Sequence, residues 1–400
     1  MASSKWKTWQ ELQEATQGKK VVFWGASNWV ERTLNHIQLD VAYIVDKSKL
    51  NQGITYCNFL VEPPEKLLQE DSKSIFVIIA TANYMSVIDD ISKFGFIMGE
   101  DYCCTPLLNQ RKDKDDLMNH QQTIVVSSPQ HFSSDTAGGG LYTYAIHEDH
   151  CQKVFSGKCR GITKKNDNYF VIDMLRGIMV LDRSFKEVGL FDLKQNTEPH
   201  GLCLDEDGKH LFVAQPGRDS VAIYDVSTGK AIEEIFLSKK WARNKKDNHH
   251  LNDLYVEGNS LYISLFSFSG NWLHEVYDGG ILEYDLEQHE FIGPVISGQW
   301  MPHSVHRYEG RLMFLNSMLG ELWAGSQYKL GTFPGFVRGL DYDGKYYYIG
   351  TTEHRYPEKL KGQSLNIMLD TGFYAFDINT KMSRFFKMNM VETIHSLIVA

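Results

Sequence analysis

Six short stretches of the chain open on a residue that can bind a metal or an anion, followed by a small or polar residue and then an apolar one. They are Arg160-Gly161-Ile162, His200-Gly201-Leu202, Asn252-Asp253-Leu254, His303-Ser304-Val305, Arg338-Gly339-Leu340 and His395-Ser396-Leu397. Read down the first position, histidine occupies alternate repeats. If each repeat is one blade around an axis, His200, His303 and His395 converge from three directions, interleaved with Arg160, Asn252 and Arg338. Three neutral imidazoles around one point make a divalent metal site with a place left for water or substrate. Zinc is the first expectation, with iron or copper as alternatives. The competing reading is a set of polar side chains lining a wet channel.

The arginines add a second kind of chemistry. A guanidinium cannot ligate a metal, but its planar fork binds carboxylate or phosphate. Arg160 and Arg338 at the level of the histidines therefore predict an anionic small-molecule substrate. The alternative is internal pairing with Glu198, Asp253 or Glu392. Just before the third repeat lies the densest polar run, Asn248-His249-His250-Leu251-Asn252-Asp253. A histidine in such a mouth loop can orient a ligand or move a proton, which makes His250 a candidate base. Asn252 can orient its neighbours, or with Asp253 supply oxygen to a calcium ion. The segments Glu353-His354-Arg355-Tyr356 and Asn271-Trp272-Leu273-His274 are candidate lids over the same mouth.

These residues need a scaffold that brings distant positions to one axis. The repeats recur at intervals centred on roughly 40–50 residues, the period of a four-stranded propeller blade. Within each, short alternating runs are broken by turns. The second repeat reads Leu202-Cys203-Leu204, a turn to Gly208, Leu211-Phe212-Val213-Ala214, a turn at Gly217, and Val221-Ala222-Ile223-Tyr224-Asp225. The sixth has one strand before the chain stops at Ala400. Strands in 123–127 and 140–144 therefore complete the last blade, closing an all-β six-bladed propeller over residues 123–400.

Residues 1–110 follow another grammar. Lys19-Lys20-Val21-Val22-Phe23-Trp24-Gly25 is an apolar strand ending in glycine, followed by a helical stretch and then Val41-Ala42-Tyr43-Ile44-Val45-Asp46. Strand–helix alternation predicts an α/β domain with a parallel sheet, and Asp46 follows Gly25 at a spacing at which Rossmann sheets contact a ribose. Gly25 and Asp46 are thus the candidate cofactor-binding pair. The turn Gly25-Ala26-Ser27-Asn28-Trp29-Val30 lacks the second and third glycines of the dinucleotide fingerprint, which argues for a docking or degenerate domain. The charged residues 111–122 read as a linker.

Composition bounds the partners. A formal net charge of −9 over 400 residues argues against nucleic acid. No apolar run reaches membrane-spanning length. Six cysteines without a Cys-x-x-Cys pair, and an N-terminus without an apolar core, predict reduced thiols and a cytoplasmic location.

The propeller half resembles a family of uncharacterised bacterial proteins known as a conserved domain of unknown function. The resemblance rests on the run from Asn248 to Asp253, on Met301-Pro302-His303-Ser304, on Leu315-Asn316-Ser317 with Gly320-Glu321-Leu322, and on Phe333-Pro334-Gly335-Phe336-Val337-Arg338-Gly339-Leu340. It implies the fold and little of the activity. The head resembles the small Rossmann-like domain of sugar-nucleotide-associated enzymes. In its ring pattern alone, at His200, His303, His395, Arg160 and Arg338, the propeller is similar to the peptide-amidating lyase. These readings together predict a metal-dependent lyase or hydrolase acting on an anionic small molecule or sugar derivative, with the head available for self-association or a protein partner. The rivals are a non-catalytic binding propeller and a three-histidine iron or copper redox enzyme.

Overall fold

A computed structural model describes residues 4–400. The chain divides into two compact units between Asp116 and Leu117. No helix among the described residues is long and apolar enough to cross a membrane.

In the first unit, strands Lys20–Trp24, Val41–Val45, Phe59–Glu62, Ile75–Ile79 and Tyr102–Cys104 pair in parallel. Their apolar runs are what a sheet covered on both faces demands. Val22, Trp24, Val77 and Ile79 enter one core, and Val21, Phe23, Phe76 and Ile78 enter the other. Helix Tyr84–Lys93 turns Tyr84, Val87, Ile88 and Ile91 inward. Between Val45 and Ile75 the chain makes no crossover helix of α type. A hairpin, Thr55–Tyr56 with Phe59–Glu62, and a 3-10 turn at Pro64–Gln69 fill that place. Strand–helix alternation is therefore only partial, and the expected Rossmann pattern is not reproduced in full. The segment 111–122 is not a plain linker. Lys112–Met118 is helical, and Leu117 packs against Ile124 and Tyr346, an apolar contact hidden by the surrounding charges.

The second unit consists of six four-stranded antiparallel sheets, the six-bladed propeller expected from the repeats. Closure is also as expected. Ser396–Val399 pairs with Thr123–Ser133, placing Leu397 opposite Val126 and Ile398 opposite Val125. The blades adhere through apolar faces. Phe212 and Ile223 meet Leu254 and Ile263, and Leu315 and Leu322 meet Leu340 and Ile349. In Tyr346-Tyr347-Tyr348 the alternation of a strand splits the rings between two such faces, with Tyr346 and Tyr348 on one and Tyr347 on the other.

Around the axis, four of the junctions between innermost strands are bridged by hydrogen bonds made at the second position of a repeat. Gly161 N–H donates to His200 O at 2.9 Å, and Gly201 N–H to Asn252 O at 2.7 Å. Asp253 Oδ2 accepts from Ser304 N–H at 2.7 Å, and Ser304 Oγ from Gly339 N–H at 2.9 Å. This belt explains the small residues. A Cβ on Gly161 would stand 2.6 Å from His200 O, and one on Gly201 would stand 2.5 Å from Asn252 O. Pairing slips between Cys159 and Ile162, Leu251 and Leu254, His303 and His306, and Val337 and Leu340. Each irregularity re-aims the residue at the head of its strand, as bulges do next to functional sites.

Candidate functional site

The approach to three of the ring positions is strained in the same way. Glu198, His250 and Met301 have φ of 45°, 52° and 55°. Each stands two residues before a ring residue, His200, Asn252 and His303. Left-handed backbone at residues with a Cβ persists only where the surrounding structure holds it, and it gathers at functional sites. Here it swings the chain so that the following side chain faces the axis.

The ring histidines are buried, at 7%, 1% and 5% exposure for His200, His303 and His395. Desolvation, with the neighbouring arginines, pushes all three well below the ordinary imidazole range, so they are neutral near pH 7. The His200 and His395 rings lie 5.5 Å apart, and His200 also faces His250 at 4.9 Å. His200 Nδ1 meets Asn252 Oδ1 at 3.2 Å, and Asn252 Nδ2 donates to His250 O at 3.1 Å. Asn252 thus orients the His200 ring and ties down the backbone of His250. His303 is held by a different set: Nδ1 lies 2.9 Å from Met301 O and 2.7 Å from Ser317 Oγ, and the ring sits between Phe266 and Phe336. Its Nε2, and Nδ1 of His395, are buried without a partner.

Among the described residues no group of three or more His, Cys, Asp or Glu side chains could hold a metal ion. His303 is held by Met301, Ser317 and two phenylalanines, while His200 lies against His395 and His250. The donor chemistry nonetheless fits a metal. With Nδ1 of His200 and His303 engaged by oxygen acceptors, Nε2 of each is left to ligate.

Arg160 and Arg338 do stand at the histidines' level, and their charges act on His200 and His395. Among the described residues Arg160 forms no ion pair with an acid, although the charge of Glu198 acts on it. It donates to the carbonyls of Glu198 and Pro199 at 3.1 and 3.0 Å, and burial pushes its guanidinium down to about 10. Arg338 is 7% exposed, its guanidinium lies 5.1 Å from the Phe336 ring, and its Nε has no partner. Burial and the charge of Arg355 disfavour its charged form, against the attraction of Asp253. A guanidinium keeps its proton even so. The result is a buried positive charge that an anion would relieve.

Within the pair His249-His250 the structure separates the roles. His249 uses both nitrogens internally, on Ser267 O at 2.9 Å and Ser238 Oγ at 2.8 Å. His250 Nδ1 lies 2.5 Å from Asp247 Oδ2, and its ring packs on Trp272 and Phe266 at 4.3 and 4.4 Å. Trp272 Nε1 in turn donates to Asp247 O at 3.0 Å. Trp272 belongs to one of the candidate lids, but Asp247 and Ser317 were not legible as site residues. The only signal was that Asp247 lies three residues before His250, a spacing that means something only once the turn is known. Of the candidate lids, Arg355 acts on the ring electrostatically, while His354 is structural, bonded to Met318 O at 3.1 Å. The inner strands also line a cavity of about 410 Å³, bordered by Asp253, His306 and Asp341.

In the first unit, the proposed cofactor pair is engaged internally. Asp46 accepts from Ala26 N–H at 2.8 Å, Ser48 N–H at 2.8 Å and Asn51 Nδ2 at 3.1 Å. Gly25 has φ of 108°, and a Cβ there would sit 3.0 Å from Ala80 O, so neighbouring backbone accounts for the glycine. Val30, in place of the third glycine, is wholly buried with Phe23 and Ile78.

A domain of unknown function (DUF4915) matches residues 236–399, which include Asn252, His303, Arg338 and His395. No curated protein matches the sequence. A chain from the nidogen/laminin complex superposes with a TM-score of 0.50 at 8% identity, covering 70% of this chain and 98% of that one. A protein of unknown function from Bacteroides caccae gives 0.48 at 12% identity, with 70% and 98% covered. Virginiamycin B lyase from Staphylococcus aureus gives 0.36 at 10%, with 60% and 73% covered. At these identities the likeness is one of fold.

Proposed function

We propose that the axial mouth of the propeller binds the carboxylate or phosphate of a small molecule, and that the protein is an enzyme of lyase or hydrolase type. The observation that carries this reading is Arg338, a buried guanidinium with an unpartnered Nε, set among histidines that are themselves neutral. Leaving such a charge uncompensated costs several kcal/mol, on the order of what a bound anion returns. Arg160, aimed by two carbonyls, offers the remainder of its fork to the same ligand. His250 is the group that moves a proton. Asp247 fixes Nδ1 as the protonated nitrogen and leaves Nε2 as the base, the arrangement by which a carboxylate sets an imidazole's tautomer. His200, His303 and His395 then offer neutral nitrogens to oxygens of the substrate. The six unpaired cysteines agree with a reducing compartment.

The test is a screen of carboxylates, lactones and phosphate esters for turnover, repeated with His250→Ala and Arg338→Met. An activity that both variants keep in full would end the reading.

A second reading is favoured by one observation, the free Nε2 of His303 beside second-sphere bonds of the kind that orient metal ligands. In it His200, His303 and His395 hold a divalent metal, zinc first, which when bound would acidify a water or polarise a substrate oxygen. Elemental analysis of the purified protein separates the two: stoichiometric metal lost on His303→Ala supports the second. In either reading the N-terminal unit is a Rossmann-like variant serving as a docking module, because Asp46 is engaged by Ala26 of the glycine turn and by Ser48 and Asn51 of its own loop. Tight binding of NAD or a UDP-sugar to that unit would contradict this.

A further inference from the structure

The inner strand of each blade starts at the ring, so the second strand ends at that face and the third begins there. Register fixes this: Cys159 lies opposite Asp173, Leu251 opposite Leu265, and Phe336 opposite Thr352. The loops that follow these partners are residues 174–176, 266–278 and 353–371. Their tips are apolar and open to solvent. Leu175 is 79% exposed, Leu273 51% and Leu369 73%. Phe132, where the sixth blade turns at the same face, is 70% exposed. Among the described residues, the turns between strands at the opposite face hold no exposed large apolar side chain. Other exposed apolar residues of the blades, such as Val188, Ile232 and Ile292, lie on outermost strands.

The ring face also carries the most basic segment of the chain, on the approach to strand Leu251–Glu257. Lys239-Lys240-Trp241-Ala242-Arg243-Asn244-Lys245-Lys246 holds five cations and no carboxylate, in a chain of net charge −9. Lys239, Arg243 and Lys246 are exposed, and no carboxylate pairs with them among the described residues. Lys240 is tied to the carbonyls of Ser269 and Gly270, and Lys245 stands 3.8 Å from the Trp241 ring. Cations and tips adjoin. Leu273 borders a groove of about 440 Å³ with Lys240, Arg243, Lys246 and His274, and no carboxylate lines it. Leu273 and Leu175 border a second cleft with Lys245 and Lys246. The other ionic side chains of that cleft are Arg176 and Lys194, paired with Asp173 and Glu234, and the carboxylates of Asp192, Glu198 and Asp247, the last bonded to His250.

A protein partner needs one contiguous complementary patch. A bilayer needs only that separate apolar tips reach one plane, and its anionic headgroups answer unpaired lysine and arginine. We propose that the ring face of the propeller docks peripherally on an anionic phospholipid surface. Leu175, Leu273, Leu369 and Phe132 enter the boundary between headgroups and acyl chains, and Lys239, Arg243 and Lys246 meet the phosphates.

The test is flotation of the full chain with vesicles of phosphatidylcholine alone and of phosphatidylcholine and phosphatidylglycerol in equal parts. Binding is expected to the anionic vesicles only, and to weaken with added salt. Two triple variants at exposed positions separate the contributions: Lys239→Glu with Arg243→Glu and Lys246→Glu, and Leu175→Ser with Leu273→Ser and Leu369→Ser. Each is expected to weaken binding by about tenfold or more. The control is Val188→Ser with Ile232→Ser and Ile292→Ser on the outermost strands, expected to bind as wild type does. Thermal melts establish that all three variants fold. Absence of binding to the anionic vesicles would overturn the proposal. So would full binding by either ring-face variant, or an equal loss in the control. If vesicles are not bound and the leucine variant instead changes the oligomeric state, the face joins copies of this chain and the lipid assignment fails. None of these outcomes depends on whether the ring itself binds an anion.

Discussion

Asp247 Oδ2 lies 2.5 Å from Nδ1 of His250, and the imidazole so fixed faces His200 at 4.9 Å between ring centroids. The carboxylate and the base are three residues apart on one loop. The left-handed conformation of His250 is what lets the loop fold back on itself.

From this pair comes the first prediction. Asp247→Asn preserves shape but removes the charge that selects the tautomer. On any substrate the protein turns over, kcat should fall by about 10²–10⁴-fold with little change in KM. Steady-state kinetics checks this, and a change confined to KM would assign Asp247 to substrate binding.

The second prediction concerns the belt around the axis. Gly201→Ala places a methyl 2.5 Å from Asn252 O, where backbone must yield. A loss of about 2–3 kcal/mol is expected in denaturant unfolding. Unchanged stability would mean the blades are not joined as described.

The third is a pH dependence. Burial alone would raise the Glu234 carboxyl, but hydrogen bonds from Arg218, Lys194 and Ser220 outweigh it and bring it from 4.5 down to about 2. A depressed carboxyl stabilises the fold above its unfolded value and loses that contribution as pH falls through the folded one. The window is therefore pH 4.5 to 2, and the amount is on the order of 2–3 kcal/mol. Thermal melts of wild type and Glu234→Gln across that window should converge as pH falls. Parallel curves would show that Glu234 has no such role.

The blades were legible because strand and turn residues alternate with a constant grammar, and because residues 396–399 lacked partners except at 123–127. The first position of each repeat was legible for the same reason. What the ring does was less so. Whether His303 can reach a point shared with His200 depends on Ser317, fourteen residues further on and in the next turn, and on the backbone twist at Met301. Neither leaves a mark in the local pattern. The head misled in the opposite direction. Its strands were correctly apolar, but the hairpin at 55–62 carries no helical periodicity, and the charges of 111–122 concealed Leu117.

The most direct measurement of the central claim is calorimetric titration of the intact protein with inorganic phosphate, for wild type and Arg338→Met. The account predicts saturable binding near one site per chain, lost in the variant. A thermal melt of the variant checks that it remains folded, since Asp253 loses the attraction of Arg338. Phosphate binding of equal strength in Arg338→Met, with the fold intact, would contradict it.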